Sequence, residues 1–122
     1  MAVEDIFGLR PGDVNIIRNA GAVASQDVIR SLLLSRHVLG TREIVVLGHT
    51  GCGMLGLDDE ELRQRLEGAT GQPSDTRFGS FSDIDTHVRR QIERIEAHPW
   101  IGAVPVHGLI YEVETGLVRE AV

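Results

Sequence analysis

A chain of 122 residues, 42% hydrophobic and 25% charged, has the makeup of one soluble globular domain with a modest core. Its net charge of −6, carried against twelve arginines with no lysine and no basic run, argues against nucleic acid or an anionic membrane as the main partner. A single cysteine excludes an intrachain disulfide, the first residues lack a basic and then apolar leader, and no apolar run reaches bilayer length, so the cytoplasm is the default location.

In chain order, Glu4 to Leu9 reads as a short helix or turn, closed by the turn residues Arg10-Pro11-Gly12-Asp13. Val14 to Ile17 reads as a short strand, followed by a small-residue loop, Arg18 to Ala22, that a ligand could approach closely. Ser25 is suited to cap a helix whose apolar face carries Val28, Ile29, Leu32 and Leu33, with Gly40 just past its end. Ile44 to Leu47 is a continuous apolar, β-branched run, the pattern of a parallel strand covered on both faces. Strand, helix and strand in that order predict a βαβ unit with a right-handed crossover.

Asp58 to Leu66 reads as a helix with acidic residues in its first turn and Gly68 after its end. A polar surface loop runs to Ser80, and Ser82 then caps a helix with Ile84, Val88, Ile92 and Ile95 on one stripe, stopped by Pro99. Val104 to Val113 and Leu117 to Val122 read as strands joined by the turn Glu114-Thr115-Gly116, a C-terminal β-hairpin. No repeat or boundary divides the chain, so residues 1–122 are expected to form a single α/β domain, a mainly parallel sheet flanked by helices.

The chemistry concentrates where the Ile44–Leu47 strand ends, in His49-Thr50-Gly51-Cys52-Gly53. An imidazole and a thiolate three positions apart on such a loop can face one metal ion, and zinc accepts both donors but takes three or four protein ligands. Cys52 is the only cysteine, so the pair is half of a site. The plain alternative is a buried cysteine beside a hydrogen-bonded histidine. His37, His87, His98 and His107 read as ordinary surface or core residues, and the acidic run from Asp58 to Glu61 as a solvated helix start.

Three segments, Ile16-Ile17-Arg18-Asn19-Ala20-Gly21, Asp27-Val28-Ile29-Arg30-Ser31-Leu32 and the His49–Gly53 loop with Met54, combine with the tail Val106 to Gly116. Together they resemble the β-class carbonic anhydrases, above all the short bacterial members, over essentially the whole chain. The resemblance implies a parallel-sheet α/β fold that forms homodimers or larger homo-oligomers. It implies a zinc ion held by two cysteines and one histidine, and reversible hydration of carbon dioxide to bicarbonate by a zinc-bound water of lowered pKa. Residue by residue it makes His49 and Cys52 zinc ligands. It places the Gly53 backbone amide beside the substrate and Arg18 next to the pocket, with a weaker tie to a second bicarbonate site.

The family's Cys-x-Asp-x-Arg motif, source of the other cysteine and of an Asp–Arg pair that orients the zinc-bound water, has no match in the sequence. Met1 to Leu9 resembles the stretch directly after that motif. This implies either a longer natural protein in which Met1 is internal, or a truncated chain. Weak or absent activity is expected of the 122 residues alone. Two other readings remain open: an inactive, zinc-poor relic serving as an interaction or structural module, and a hydrolase of carbon disulfide or carbonyl sulfide, as close relatives of the fold are.

Overall fold

Which residues can lie side by side is decided by two glycines beneath one helix. The computed structural model describes all 122 residues. Its elements run α1 (Val3–Phe7), α2 (Gln26–His37), β1 (Ile44–His49), α3 (Asp59–Thr70), α4 (Ile84–Glu96), β2 (Val106–Glu112) and β3 (Leu117–Glu120). The sheet has three strands in the order β1-β2-β3. β1 pairs parallel with β2 from Ile44 opposite Val106 to His49 opposite Tyr111, and β2 turns back antiparallel into β3. The α/β class and the C-terminal hairpin follow the sequence, while the sheet is mixed, with one parallel and one antiparallel pair.

α4 lies on the β1–β2 pair. Its apolar stripe supplies Val88 and Ile95, which bury completely or nearly so among Ile44, Val46, Ile101, Val104 and Ile110, with Ile84 and Ile92 packed against that cluster. The helix sits so close because Gly48 and Gly108 present no side chain. A Cβ on Gly48 would lie 2.9 Å from Ile84 Cδ1, and one on Gly108 2.8 Å from both Ile92 Cδ1 and Val88 Cγ1. The opposite edge of the helix is tied to the hairpin. Arg119 donates to both carboxylate oxygens of Asp85, at 2.8 and 3.0 Å, and to Glu112 at 2.8 Å. Those bonds from Arg119 hold the Asp85 carboxyl down at a pKa of about 2.

Several boundaries depart from the sequence reading. Val14 to Ile17 is not a strand: it has no regular secondary structure, and residues 14–22 make no backbone–backbone hydrogen bond. The expected first βαβ unit is therefore absent, and the parallel pair is instead joined through α3 and α4. Ser25 caps α2 as expected, accepting from the Val28 N–H at 3.3 Å. α3 continues through Gly68 to Thr70, since the left-handed stop (φ +71°) falls at Gly71. The α4 cap is Asp83 rather than Ser82. Its carboxylate takes both the N–H and the hydroxyl of Thr86, and its charge suits the positive end of the helix. No helix is long and apolar enough to cross a membrane.

The glycine under α4 generates a direct expectation. Gly108→Ala forces a methyl against Val88, whose short branched side chain cannot swing clear. The variant should lose about 1–3 kcal/mol of stability, read as a lower urea midpoint at unchanged m-value.

Candidate functional site

β1 delivers its last residue, His49, to the C-terminal edge of the sheet, where open α/β sheets place their ligands. The loop beyond it is pinned on two sides. The Thr50 N–H donates to the Tyr111 carbonyl at 3.0 Å, and the Val113 N–H donates to the Thr50 hydroxyl at 3.0 Å. On the other side Leu55 bridges Phe81, and the Gly56 N–H donates to the Phe81 carbonyl at 2.7 Å. Gly51 takes the left-handed conformation (φ +64°) that lets so short a loop reverse.

Within this frame His49 Nδ1 lies 2.8 Å from the Thr50 carbonyl. A carbonyl only accepts, so Nδ1 carries a proton, and Nε2 is the ring nitrogen left to act as a metal donor. Such a backbone contact is how metal-ligating histidines are commonly oriented. Cys52 is half-buried and unpaired. A cavity of about 1050 Å³ is lined by His49, Cys52 and Arg18, together with Asn19, Gly21 and Phe81. The structure thus brings three of the four sequence candidates to one cavity. Gly53 is not among the residues that line it.

No group of three or more histidine, cysteine, aspartate or glutamate side chains is gathered anywhere in the chain. The other histidines are engaged elsewhere. His37 donates to the Trp100 carbonyl, His98 accepts from the Trp100 N–H, and His107 lies 3.3 Å from Glu43. Two donors fall short of the three or four that zinc draws from a protein, so the residues present do not make a zinc site by themselves.

The wall of the cavity at residues 19–24 is held by side chains that the sequence reading left unassigned. His87, on the buried side of α4 and only 5% exposed, donates from Nε2 to the Gly21 carbonyl at 2.6 Å. Its ring stacks on Phe81 with centroids 4.0 Å apart. Gln91, one turn on, accepts from the Ala24 N–H at 2.9 Å and turns its amide toward His87 Nδ1 at 3.4 Å. Asn19 closes the turn on itself, donating to the Val23 carbonyl and accepting from the Val23 N–H. These bonds hold Ala22 in a left-handed conformation (φ +52°) that a side chain disfavours by about 1–2 kcal/mol. The available signal was the i, i+4 spacing of His87 and Gln91 beside the apolar stripe of α4. Burial first, then the nearby charges of Arg94 and Arg90, push the His87 pKa below its ordinary 6.5, outweighing the opposing Gly21 bond.

A family model described as carbonic anhydrase matches residues 1–118. The chain is 38% identical to β-carbonic anhydrase 1 of Mycobacterium tuberculosis over 116 residues, covering 94% of this chain and 71% of that protein. It is 34% identical to a carbon disulfide hydrolase of Acidithiobacillus thiooxidans over 142 residues, covering 98% of this chain and 70% of that protein. Among solved structures, it superposes on a carbonic anhydrase from Streptococcus mutans with a TM-score of 0.95 at 40% identity, covering all of this chain and 75% of that one.

The His87 network predicts an acid sensitivity of the cavity wall. A histidine whose folded pKa is depressed contributes stability that is present above its unfolded value, near 6.5, and is lost as pH falls through the folded value. His87→Phe should retain the stack on Phe81 and lose the bond to Gly21. It should lower stability by about 1–3 kcal/mol at neutral pH and flatten this part of the acid profile, followed by urea unfolding at stepped pH.

Proposed function

Because the chain belongs to the β-carbonic anhydrase family, we propose that it works on carbon dioxide and bicarbonate through a zinc site of which His49 and Cys52 are one half, the remaining donors coming from outside these 122 residues. The family is in general zinc-dependent. The observation that supports the reading is an imidazole held through Nδ1, with Nε2 left unengaged, and a free thiol lining the same cavity. In this assignment His49 offers Nε2 and Cys52 its sulfur. Arg18, the only cation among the site candidates, faces the same cavity and attracts an anion such as bicarbonate. Gly53 follows directly on Cys52, and its backbone amide is assigned to the substrate on the family resemblance alone.

Carbon disulfide, an isoelectronic analogue of carbon dioxide, is the second reading, supported by the likeness to a carbon disulfide hydrolase at 34% identity. The anhydrase reading is preferred on the higher identity of the mycobacterial and streptococcal relatives, 38% and 40%.

The assembly we propose is a homodimer or higher homo-oligomer. Leu34, Val38 and Trp100 are all exposed, and the bond from His37 to the Trp100 main-chain carbonyl brings that residue to the end of α2, where such exposed apolar side chains favour association. A β-carbonic anhydrase from Sordaria macrospora described as tetrameric shares the fold, at 19% identity and a TM-score of 0.66.

These assignments can be tested by metal content and by rate. Elemental analysis of the purified chain, made without chelator, should find zinc well below one per chain. Carbon dioxide hydration with added zinc should fall at least about 100-fold below that of a complete relative, since losing even an orienting outer partner of a metal site costs about 10–100-fold. Stoichiometric zinc with a family-level rate would overturn the half-site, and carbon disulfide turnover exceeding carbon dioxide hydration would favour the second reading. Separately, light scattering should show an oligomer that Trp100→Arg shifts toward monomer, while an unchanged mass would remove this patch from the interface.

A further inference from the structure

We propose that His87 and Gln91 form a proton-operated latch on the cavity wall: one proton taken up at His87 Nδ1 turns the Gln91 amide against the Ala24 N–H and releases the wall next to Arg18. The latch stands on the geometry of the wall itself. It touches the carbon dioxide reading only through Arg18, which that reading assigns to the anion.

The role of every atom in the network is fixed from its two ends. The Gly21 carbonyl only accepts, so His87 Nε2 holds a proton and donates to it at 2.6 Å. The Ala24 N–H only donates, so the group 2.9 Å from it is the Gln91 oxygen. The Gln91 nitrogen is thereby turned toward His87 and donates to the bare Nδ1 of the neutral ring at 3.4 Å. One chain of bonds runs in a single direction, from the Ala24 N–H through Gln91 and His87 to the Gly21 carbonyl. Nδ1 is the only position left on the ring for a second proton, and a proton there sets N–H against N–H. Turning the amide over restores the bond to His87. It also points the amide nitrogen at the Ala24 N–H and at the Arg94 guanidinium, which donates to the Gln91 oxygen at 3.3 Å in the closed arrangement. His87 is 5% exposed and Gln91 3%, so bulk water does not absorb the mismatch. No arrangement of the imidazolium form keeps both ends bonded.

The wall is built to move as a piece once released. Asn19 donates to the Val23 carbonyl at 2.7 Å and accepts from the Val23 N–H at 2.9 Å, which closes residues 19–23 into one loop next to Arg18. Residues 14–22 make no backbone–backbone hydrogen bond, so the two bonds from α4, at Gly21 and Ala24, tie this loop to the core. Ala22 is held left-handed inside it, a conformation that a released loop need not keep. The other surfaces that meet the ring and its acceptor are uncharged: Phe81 stacks on His87, and Met54 lies against Gly21. Arg90 and Arg94 on α4 oppose protonation of the ring. The carboxylates of the neighbouring elements are bonded elsewhere, Asp83 to Thr86, Asp85 to Arg119 and Asp59 to Ser80. Burial above all, and then the two arginines, keep the ring neutral until the pH falls below the ordinary histidine value of 6.5, so the latch is closed at neutral pH and opens in acid.

The test is a pH titration of the full chain by NMR, in chelator so that zinc plays no part. The His87 ring shifts report protonation. The Ala24 amide reports the latch, through its protection from exchange corrected for the intrinsic effect of pH. The ring should titrate with a midpoint below 6.5. Ala24 should lose protection at least about ten-fold at that same midpoint, while the amides of the β1–β2 ladder stay protected. Gln91→Glu presents an acceptor to both ends at once, so its ring should titrate at higher pH with Ala24 protected throughout. Should that variant not fold, the coincidence of the two midpoints in the unaltered chain decides. The latch is overturned if the ring titrates while Ala24 holds, if Ala24 and the ladder are lost together, or if Gln91→Glu opens as the unaltered chain does. None of these readouts involves metal content or turnover, so the latch and the zinc half-site fail separately.

Discussion

The seating of α4 on the β1–β2 pair is the contact on which the rest of the structure depends. Gly48 and Gly108 remove the side chains that would hold the helix away, and Val88, Ile92 and Ile84 descend into the space they leave. That approach buries Val88 and Ile95 and brings His87 and Gln91 within reach of the backbone at Gly21 and Ala24. One helix therefore packs the core with one set of residues and shapes the wall of the cavity with the next. A change that lifts α4 by a few tenths of an ångström loosens the wall as well as the core, because buried hydrogen bonds tolerate little displacement before their partners are left unpaired.

Legibility in the sequence divides along the same lines. The His49–Gly53 loop was legible because its signals are local: a β-branched run, then glycines, with the two metal-binding residue types between them. The apolar stripe of α4 was legible for the same reason. Val14 to Ile17 has strand composition and yet forms no strand, because strand formation requires a partner backbone, which no local pattern reveals. The choice of Asp83 over Ser82 as the α4 cap was beyond composition, since both are good caps and their difference lies in the charge at the helix end. His87 was read as ordinary because its acceptor, the Gly21 carbonyl, is 66 positions away in the chain.

The His49–Cys52 loop and the unpaired edge of β1 border the same cavity. Here the loop is pinned to β2 and to Phe81, and His49 Nδ1 is engaged so that Nε2 is left free. The fold thus fixes the loop that carries the imidazole and the thiol, and no third donor of a metal-holding group stands beside them. On the other wall, Asn15, Asn19, His87 and Gln91 hold the chain from residue 15 to residue 24 through side-chain hydrogen bonds, while residues 14–22 make no backbone–backbone hydrogen bond.

Burial makes the same case in energetic terms. Only 12 of 122 residues are buried, and Val45, Ile16 and Ile17 remain substantially exposed around a cavity whose lining is mostly apolar. A domain of this length ordinarily removes about two thirds of its unfolded surface from water. Apolar surface left open on an unpaired strand edge favours association, and the choice lies between indiscriminate edge pairing and one defined occupant. Residues 14–19 line the same cavity as Val45 and Leu47 of the β1 edge, so this open apolar surface lies beside His49 and Cys52.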